Sequence, residues 1–136
     1  MTTQASVADR LGIESGTVVL ELGYEEDVDH DVRDAVAERS GSALVEGEAD
    51  VVVDVALLWF RDGDGDLVDL LVDARTLLAD RGVVFVLTPK SGRPGYVEPS
   101  EIGESAPTAG LQQTGAFSAG GDWTATRLVA PRSARR

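Results

Sequence analysis

The sequence predicts an open α/β fold, a mostly parallel twisted sheet with helices on both faces and a C-terminal antiparallel hairpin. Two unbroken apolar runs, 55–60 and 83–87, flank a helical pattern at 67–79. This arrangement is typical of a βαβ unit whose parallel strands are buried on both faces. Two later strand patterns, 111–117 and 123–129, are joined by a glycine-containing connection and predict the hairpin.

The first half of the chain predicts a strand, a helix and a short second strand. Residues 17–22 are mostly apolar, as in a central parallel strand, and a helical stripe follows at 28–39. Asp27 is the expected N-cap of this helix, and Gly41 suits the left-handed position that ends it. Residues 43–45 then predict a short strand near an edge of the sheet.

The second half begins with the βαβ unit and its polar turn at 61–66. The aspartates of this turn are similar in composition to a calcium loop, but the twelve-residue ligand pattern and its terminal glutamate are missing. Asp66 is therefore interpreted as the N-cap of the helix at 67–79, and no metal site is predicted. That helix should stop at 80–82, and a short helix at 98–106 should begin beside Pro99.

The length of 136 residues predicts one domain at 17–130, preceded by a leader at 1–16 and followed by a basic tail at 131–136. The leader is expected to form one helical turn and to pack Leu11 and Ile13 on the sheet edge. The absence of cysteine excludes disulfides, thiolate zinc sites and a cysteine nucleophile. We expect a cytoplasmic location, since neither a signal peptide nor a membrane span is evident in the sequence.

The net charge of −12 is concentrated in the first half of the chain. Half of the 24 acidic residues fall between Glu21 and Asp54. A field of this sign repels nucleic acid and anionic membranes, so neither is an expected partner. The preferred interpretation is a solvated acidic surface, and the alternative is a docking face for a basic protein.

The best candidate for a ligand site is the loop after the second apolar run of the βαβ unit, which contains the only lysine of the chain. Its candidate binding residues are Thr88, Lys90, Ser91, Gly92 and Arg93. In an open α/β sheet, ligands bind at the carboxyl ends of the strands, where these side chains could hold a carboxylate or phosphate. The favoured alternative is that Lys90 and Arg93 pair with the acidic loops at 25–27 or 62–66.

Two ring side chains near the first loop have different expected roles. Tyr24 is placed to face a ligand or partner, or to pack as a lid over the crevice. His30 is the only histidine and lies among aspartates, so it is expected to be exposed rather than a catalytic base. With His30 interpreted in this way, no histidine remains for a His-based metal site or a Ser-His-Asp triad. No catalytic residue is predicted.

Residues 18–23, Val-Val-Leu-Glu-Leu-Gly, resemble the first motif of class I S-adenosylmethionine-dependent methyltransferases. The resemblance extends to the strand layout and implies a Rossmann-like, truncated methyltransferase-like fold with about one strand–helix unit missing. It also implies that Glu21, Gly23 and Glu46 would be the cofactor-binding residues of a divergent methyltransferase. The glycine loop of that family continues with two small residues, where this chain has Glu25 and Asp27, whose carboxylates would repel the cofactor's carboxylate.

The whole sequence also resembles a family of small actinobacterial proteins of unknown function. The stretches that carry this resemblance are 57–62, 87–93, 97–102 and 122–129. Together, the two resemblances lead to the hypothesis of a non-catalytic binding or regulatory module with a protein partner and no cofactor. The alternative is a small, divergent methyltransferase that uses S-adenosylmethionine.

Overall fold

The computed structural model describes residues 7–46 and 51–130. Within them, six strands form one sheet. The predicted basic tail at 131–136, the acidic residues 47–50 and the first six residues of the predicted leader lie outside the described residues.

The helices and strands alternate through most of the chain. The helices are α1 (Val7–Arg10), α2 (His30–Ser40), α3 (Leu67–Leu77) and α4 (Pro99–Thr108). The strands are β1 (Val19–Leu22), β2 (Val45–Glu46), β3 (Val53–Trp59), β4 (Leu78–Pro89), β5 (Gln112–Ala119) and β6 (Trp123–Val129). None of the helices in these described residues is long and apolar enough to cross a membrane.

The strand order across the sheet is β2-β1-β3-β4-β6-β5. The pairs β2–β1, β1–β3 and β3–β4 are parallel, whereas β6 pairs antiparallel with both β4 and β5. The predicted fold class is thereby confirmed, including the C-terminal hairpin and the edge position of the short strand β2. The carboxyl ends of β1, β3 and β4 lie at the same end of the sheet, where the candidate site was predicted.

Each face of the sheet is covered by two helices, and each face has its own apolar core. On one face, α1 and α2 cover alternate residues of the central strands. Buried residues of this core include Leu11, Ile13, Val32, Val36, Leu57 and Phe85. On the other face, α3 and α4 cover a core that includes Leu58, Leu67, Leu71, Val86, Ile102 and Ala106. Because the central strands are buried on both faces, their sequences are continuously apolar.

The N-terminal segment packs more deeply than its sequence indicated. A helical turn is present as predicted, as α1. Leu11 and Ile13 do not lie on the sheet edge, however, because they are 2% and 1% exposed within the core beneath α1 and α2. Spacing alone could not show this, because a short apolar pair can pack against an edge or a face.

The helix caps were predicted in part. Asp66 caps α3 by accepting a hydrogen bond from the backbone N–H of Val68 at 2.9 Å, and Gly41 ends α2 with φ 86°. The predicted N-cap Asp27 is wrong. Asp29 takes that role, and its carboxylate accepts from the N–H of Val32 at 3.1 Å. Asp27 is instead engaged by an arginine at the candidate site.

The predicted stop at 80–82 is also wrong, because α3 ends at Leu77 and β4 begins at once. Leu78 already pairs with Val53, but the next paired residues are Val83 and Val55. Four residues, 79–82, therefore lie opposite Asp54 alone, and the strand bulges there. A side chain at Gly82 would lie 2.5 Å from Leu78 Cγ, so the bulge is packed in a way that favours glycine.

Candidate functional site

The centre of the carboxyl end of the sheet is Arg61, two residues after β3. It is 6% exposed, although it is charged and stands in a loop. Its guanidinium donates to both carboxylate oxygens of Asp27, with Nε to Oδ2 at 3.0 Å, and to Asp64 Oδ2 at 3.1 Å. It also donates to the carbonyl oxygen of Gly23 at 2.8 Å, and a carboxylate oxygen of Glu25 lies 4.0 Å away. Arg61 thus binds the first loop to the third strand.

This ion cluster changes the pKa values of its members. Hydrogen bonding from Arg61 holds the pKa of Asp27 below its ordinary value, against a smaller opposing effect of burial. Burial lowers the pKa of Arg61, but the hydrogen bonds to Asp27 and Asp64 more than offset it, so the net pKa is raised. Both shifts favour the charged forms, as expected for a paired group.

Glycines allow the loops to approach this cluster closely. Gly23 has φ 81°, and a Cβ there would lie 2.2 Å from the carbonyl oxygen of Trp59. Gly95 has φ 83°, and a Cβ there would lie 3.0 Å from Arg61 Cβ. In this structure, therefore, the open side of Gly23 is filled by the protein's own backbone.

Glu21, a predicted cofactor residue, is buried and fully engaged. Its carboxylate accepts from Arg33 Nε at 2.6 Å and Nη2 at 2.9 Å, and from Trp59 Nε1 at 2.8 Å. The hydrogen bond to Glu21 raises the pKa of Arg33, which outweighs the lowering by partial burial. Glu46, the other predicted acidic residue, is exposed and is the register partner of Glu21 on β2. The structure therefore brings Glu21, Gly23 and Glu46 to one end of the sheet.

The predicted anion loop lies at the same end, but its arginine has a different partner from those expected. Arg93 pairs with Asp122 at 3.2 Å rather than with either acidic loop. The backbone N–H of Lys90 donates to the Asp122 carbonyl at 2.9 Å, and its side chain forms no ion pair within the described residues. Thr88 is buried at the end of β4, and both Ser91 and Gly92 are exposed in the turn.

A cavity of about 130 Å³ lies beside this loop. It is lined by Asp27, Pro89, Arg93, Pro94, Asp122 and Trp123. The two carboxylates outnumber the one guanidinium, and Arg93 is already paired with Asp122. The charge of this cavity therefore does not favour an anion.

Two tyrosines are exposed at the carboxyl end of the sheet. Tyr24 is 48% exposed, and Arg33 stacks over its ring at 4.5 Å while His30 meets it edge-on at 6.0 Å. Tyr96 is 37% exposed in the loop before α4. Trp59 and Trp123, by contrast, are buried and meet edge-to-face at 4.9 Å, as their strand positions predicted.

Sequence reasoning missed Arg61 as the organising residue of the site. It was interpreted only as part of a polar turn. A signal was present, because a single arginine follows a strand buried on both faces and is itself followed by three aspartates, Asp62, Asp64 and Asp66. A charged residue placed directly after such a strand lies close to the protein interior, so its side chain needs a partner of opposite charge.

The fold is similar to that of S-adenosylmethionine-dependent methyltransferases. It is similar to such an enzyme from Aquifex aeolicus, with a TM-score of 0.61 and 14% identity over 91% of this chain and 88% of the other. The CcbJ methyltransferase from Streptomyces caelestis gives a TM-score of 0.62 and 14% identity over 93% and 88% of the two chains. At 14% sequence identity, these similarities concern the fold alone.

The chain belongs to a protein family of unknown function (DUF3052), whose profile matches residues 8–132. The uncharacterised protein Rv2239c of Mycobacterium tuberculosis is 50% identical over 129 residues, which cover 95% of this chain and 81% of the other. Mb2263c of Mycobacterium bovis matches to the same extent. The predicted family is therefore confirmed, together with the methyltransferase-like fold.

Proposed function

We propose that this chain is a non-catalytic, methyltransferase-like binding module that docks a protein partner at the carboxyl end of its sheet. The observation that carries the proposal is the Arg61 cluster. In this chain, the loop after β1 is bound to β3 through Asp27 and the Gly23 carbonyl. The loop serves as a structural bridge, and this use competes with cofactor binding.

The residues at this end fit S-adenosylmethionine poorly. A cofactor that uses Glu21 would have to displace Arg33 or Trp59 from a carboxylate that is only 7% exposed. The space beside Gly23 is taken by the Trp59 carbonyl. Displacing a paired, buried charge costs several kcal/mol, which a weakly held ligand does not supply.

The exposed surface of the same end favours a basic protein segment as the partner. The acidic side chains there outnumber the basic ones, and several of them are exposed, among them Glu25, Glu26, Asp62 and Asp66. Tyr24 and Tyr96 add exposed aromatic area of the kind that contributes strongly to protein interfaces. Acidic groups around aromatic anchors complement lysine- and arginine-rich segments.

The first experiment is isothermal titration of the purified protein with S-adenosylmethionine and S-adenosylhomocysteine. We expect no heat of binding and no rise in melting temperature. Micromolar binding of either compound would contradict the proposal and return the chain to the methyltransferases. A second variant, Glu25→Gly with Asp27→Gly, tests whether the two carboxylates cause the exclusion, because it should gain binding if they do.

The second experiment tests the partner. Proteins retained by the immobilised wild-type chain are compared with those retained by a Tyr24→Ala, Tyr96→Ala variant. The control is Val72→Ala, which removes an exposed apolar side chain from α3, away from this surface. We expect a specific protein to be lost with the tyrosines, kept with the control and released by moderate salt. If the wild type, the double tyrosine variant and Val72→Ala all retained the same proteins, the tyrosines would not form a docking surface.

One observation favours the alternative, a divergent methyltransferase. Glu21 and Glu46 are register partners on the neighbouring parallel strands β1 and β2, and Gly23 directly follows the end of β1. Those are the three residues that the resemblance assigns to the cofactor. The titration above separates the two functions, since only the alternative requires cofactor binding by the natural protein.

A further inference from the structure

We propose that a second site, at the amino end of the sheet, binds a phosphomonoester through three arginines. The site is a cavity of about 350 Å³ between α1, β3, β4 and β6. Its lining residues with charged side chains are Arg10, Glu14, Asp54, Arg81 and Arg127. This volume suits a ligand of the size of a sugar phosphate. The inference is independent of the proposed function, which concerns the opposite end.

The three arginines have no carboxylate partners within the part of the chain that the structure describes. Of the five other described arginines, four form ion pairs with acidic side chains, namely Arg33, Arg39, Arg61 and Arg93, and Arg75 on α3 forms none among the described residues. In a protein with a net charge of −12, arginines that converge without pairing are unexpected, because acidic groups are abundant. Their convergence on one cavity indicates that their counter-charge comes from a ligand.

The backbone places Arg81 at this cavity. Arg81 lies in the bulge at 79–82, which interrupts the pairing of β3 and β4. Bulges of this kind redirect side chains and occur frequently beside binding sites. Gly82, where a Cβ would lie 2.5 Å from Leu78 Cγ, fits the close packing that keeps the bulge in place.

The other two arginines are held in position by neutral contacts. Arg127 Nη1 donates to Thr114 Oγ1 at 2.9 Å, which leaves its remaining N–H groups for a ligand. Arg10 lies 5.8 Å from the centre of the Phe117 ring. These contacts orient the guanidiniums without neutralising them.

The two carboxylates of the cavity narrow the class of ligand. Glu14 and Asp54 reduce the charge of the lining to +1 and would repel a long polyanion, as would the charge of the whole chain. They can also accept hydrogen bonds from hydroxyl groups, although one oxygen of Asp54 already accepts from the N–H of Val18 at 2.9 Å. A single phosphate on a hydroxylated carrier satisfies both the arginines and the acids.

The test is isothermal titration of the full chain with ribose 5-phosphate, inorganic phosphate and ribose at low salt. We expect sub-millimolar binding of ribose 5-phosphate, weaker binding of phosphate and none of ribose. Arg81→Gln and Arg127→Gln should each weaken binding at least about tenfold, the loss expected for one charge-assisted contact. Arg75→Gln is the matched control, because Arg75 is an exposed arginine of α3 that does not line this cavity and has no ion pair among the described residues.

A second measurement locates the ligand. Backbone amide resonances of Gly12, Thr17 and Val83 should shift on titration with ribose 5-phosphate, whereas those of Gly92 and Gly95 should not. Absence of binding in the natural protein would overturn the proposal. So would binding that both Arg81→Gln and Arg127→Gln leave unchanged, and a loss of that binding in Arg93→Gln would move the ligand to the other end of the sheet.

Discussion

The two ends of the sheet use arginine in opposite ways. At the carboxyl end, Arg33, Arg61 and Arg93 each pair with an acidic side chain, and Arg61 is nearly buried in doing so. At the amino end, Arg81 and Arg127 line a cavity without a carboxylate partner among the described residues. The same residue type is therefore a structural element at one end and a candidate binding group at the other.

The proposed function attributes this difference to a methyltransferase-like sheet whose usual ligand end is occupied by the protein's own side chains. The loop that follows β1 carries the carboxylate of Asp27, and the loop that follows β3 carries that of Asp64. Arg61 donates hydrogen bonds to both and so connects the two loops. Once a charged group satisfies its neighbours within the protein, a ligand must displace those neighbours to use it. Among the described residues of the amino end, Arg39 pairs with Asp9 at 2.6 Å, but Arg81 and Arg127 belong to no such ion-pair network. Their guanidiniums are the ones that we propose for the ligand.

The largest effect on stability at the carboxyl end of the sheet is expected from Gly23→Ala. The new Cβ would lie 2.2 Å from the Trp59 carbonyl oxygen at a residue with φ 81°, so the loop and β3 must separate. We expect a loss of at least about 3 kcal/mol in the free energy of unfolding, measured with urea. The control is Gly16→Ala, which has φ 88° and nothing within 4 Å of its Cβ, and should lose only about 1 kcal/mol. Equal losses would show that backbone conformation, rather than the close approach, governs Gly23.

The second effect is that of Arg61→Met, which keeps most of the side-chain volume and removes the charge. Asp27 and Asp64 would lose their common partner, and the Gly23 carbonyl would lose a donor. We expect a loss of about 2–3 kcal/mol, moderated because Asp27 is 53% exposed at its side chain and can be hydrated. Urea unfolding of Arg61→Met, Asp27→Asn and the double variant gives the coupling between the two residues. Strict additivity would mean that they do not act as a pair.

Much of the fold could be predicted because it depends on patterns that are local in sequence. The runs around Leu57 and Phe85 are apolar because both faces of their strands are covered, and Asp66 and Gly41 cap helices through bonds to nearby residues. The bulge at 79–82 was missed because it depends on the pairing of Leu78 with Val53, which lie far apart in sequence.

The candidate site was predicted less well for the same reason. The sequence predicted that the loops at 23–27, 61–66 and 88–95 lie together at the carboxyl end of the sheet, and the structure brings them together there. It did not show that Asp27 would leave the helix cap for Arg61, because a cap and an ion pair compete for one carboxylate and only the fold brings the arginine close. Likewise, the partner of Arg93 is Asp122, which the hairpin carries to that loop.

A smaller effect is expected from pH, through Asp27. Its pKa is below the ordinary value of 3.8 because Arg61 hydrogen-bonds to the carboxylate. The ion pair therefore contributes its full stabilisation when the pH is above the ordinary pKa of Asp27. It loses this stabilisation as the pH falls through the lower pKa of the folded state. The stability difference between the wild type and Asp27→Asn should shrink when urea unfolding is repeated at about pH 3 instead of about pH 6. Asp73→Asn, an exposed change on α3, controls for general effects of acid.

The smallest effect on stability is expected at the amino end. Arg81 is exposed and has no ion pair within the described residues, so Arg81→Gln should change the free energy of unfolding by no more than about 0.5 kcal/mol. The measurement is urea unfolding in a buffer free of phosphate, since a bound anion would stabilise the native state by mass action. In added phosphate, the wild type should gain stability and Arg81→Gln should gain less. A loss as large as that of Arg61→Met in the phosphate-free buffer would make Arg81 a structural arginine as well, and the contrast between the two ends of the sheet would fail.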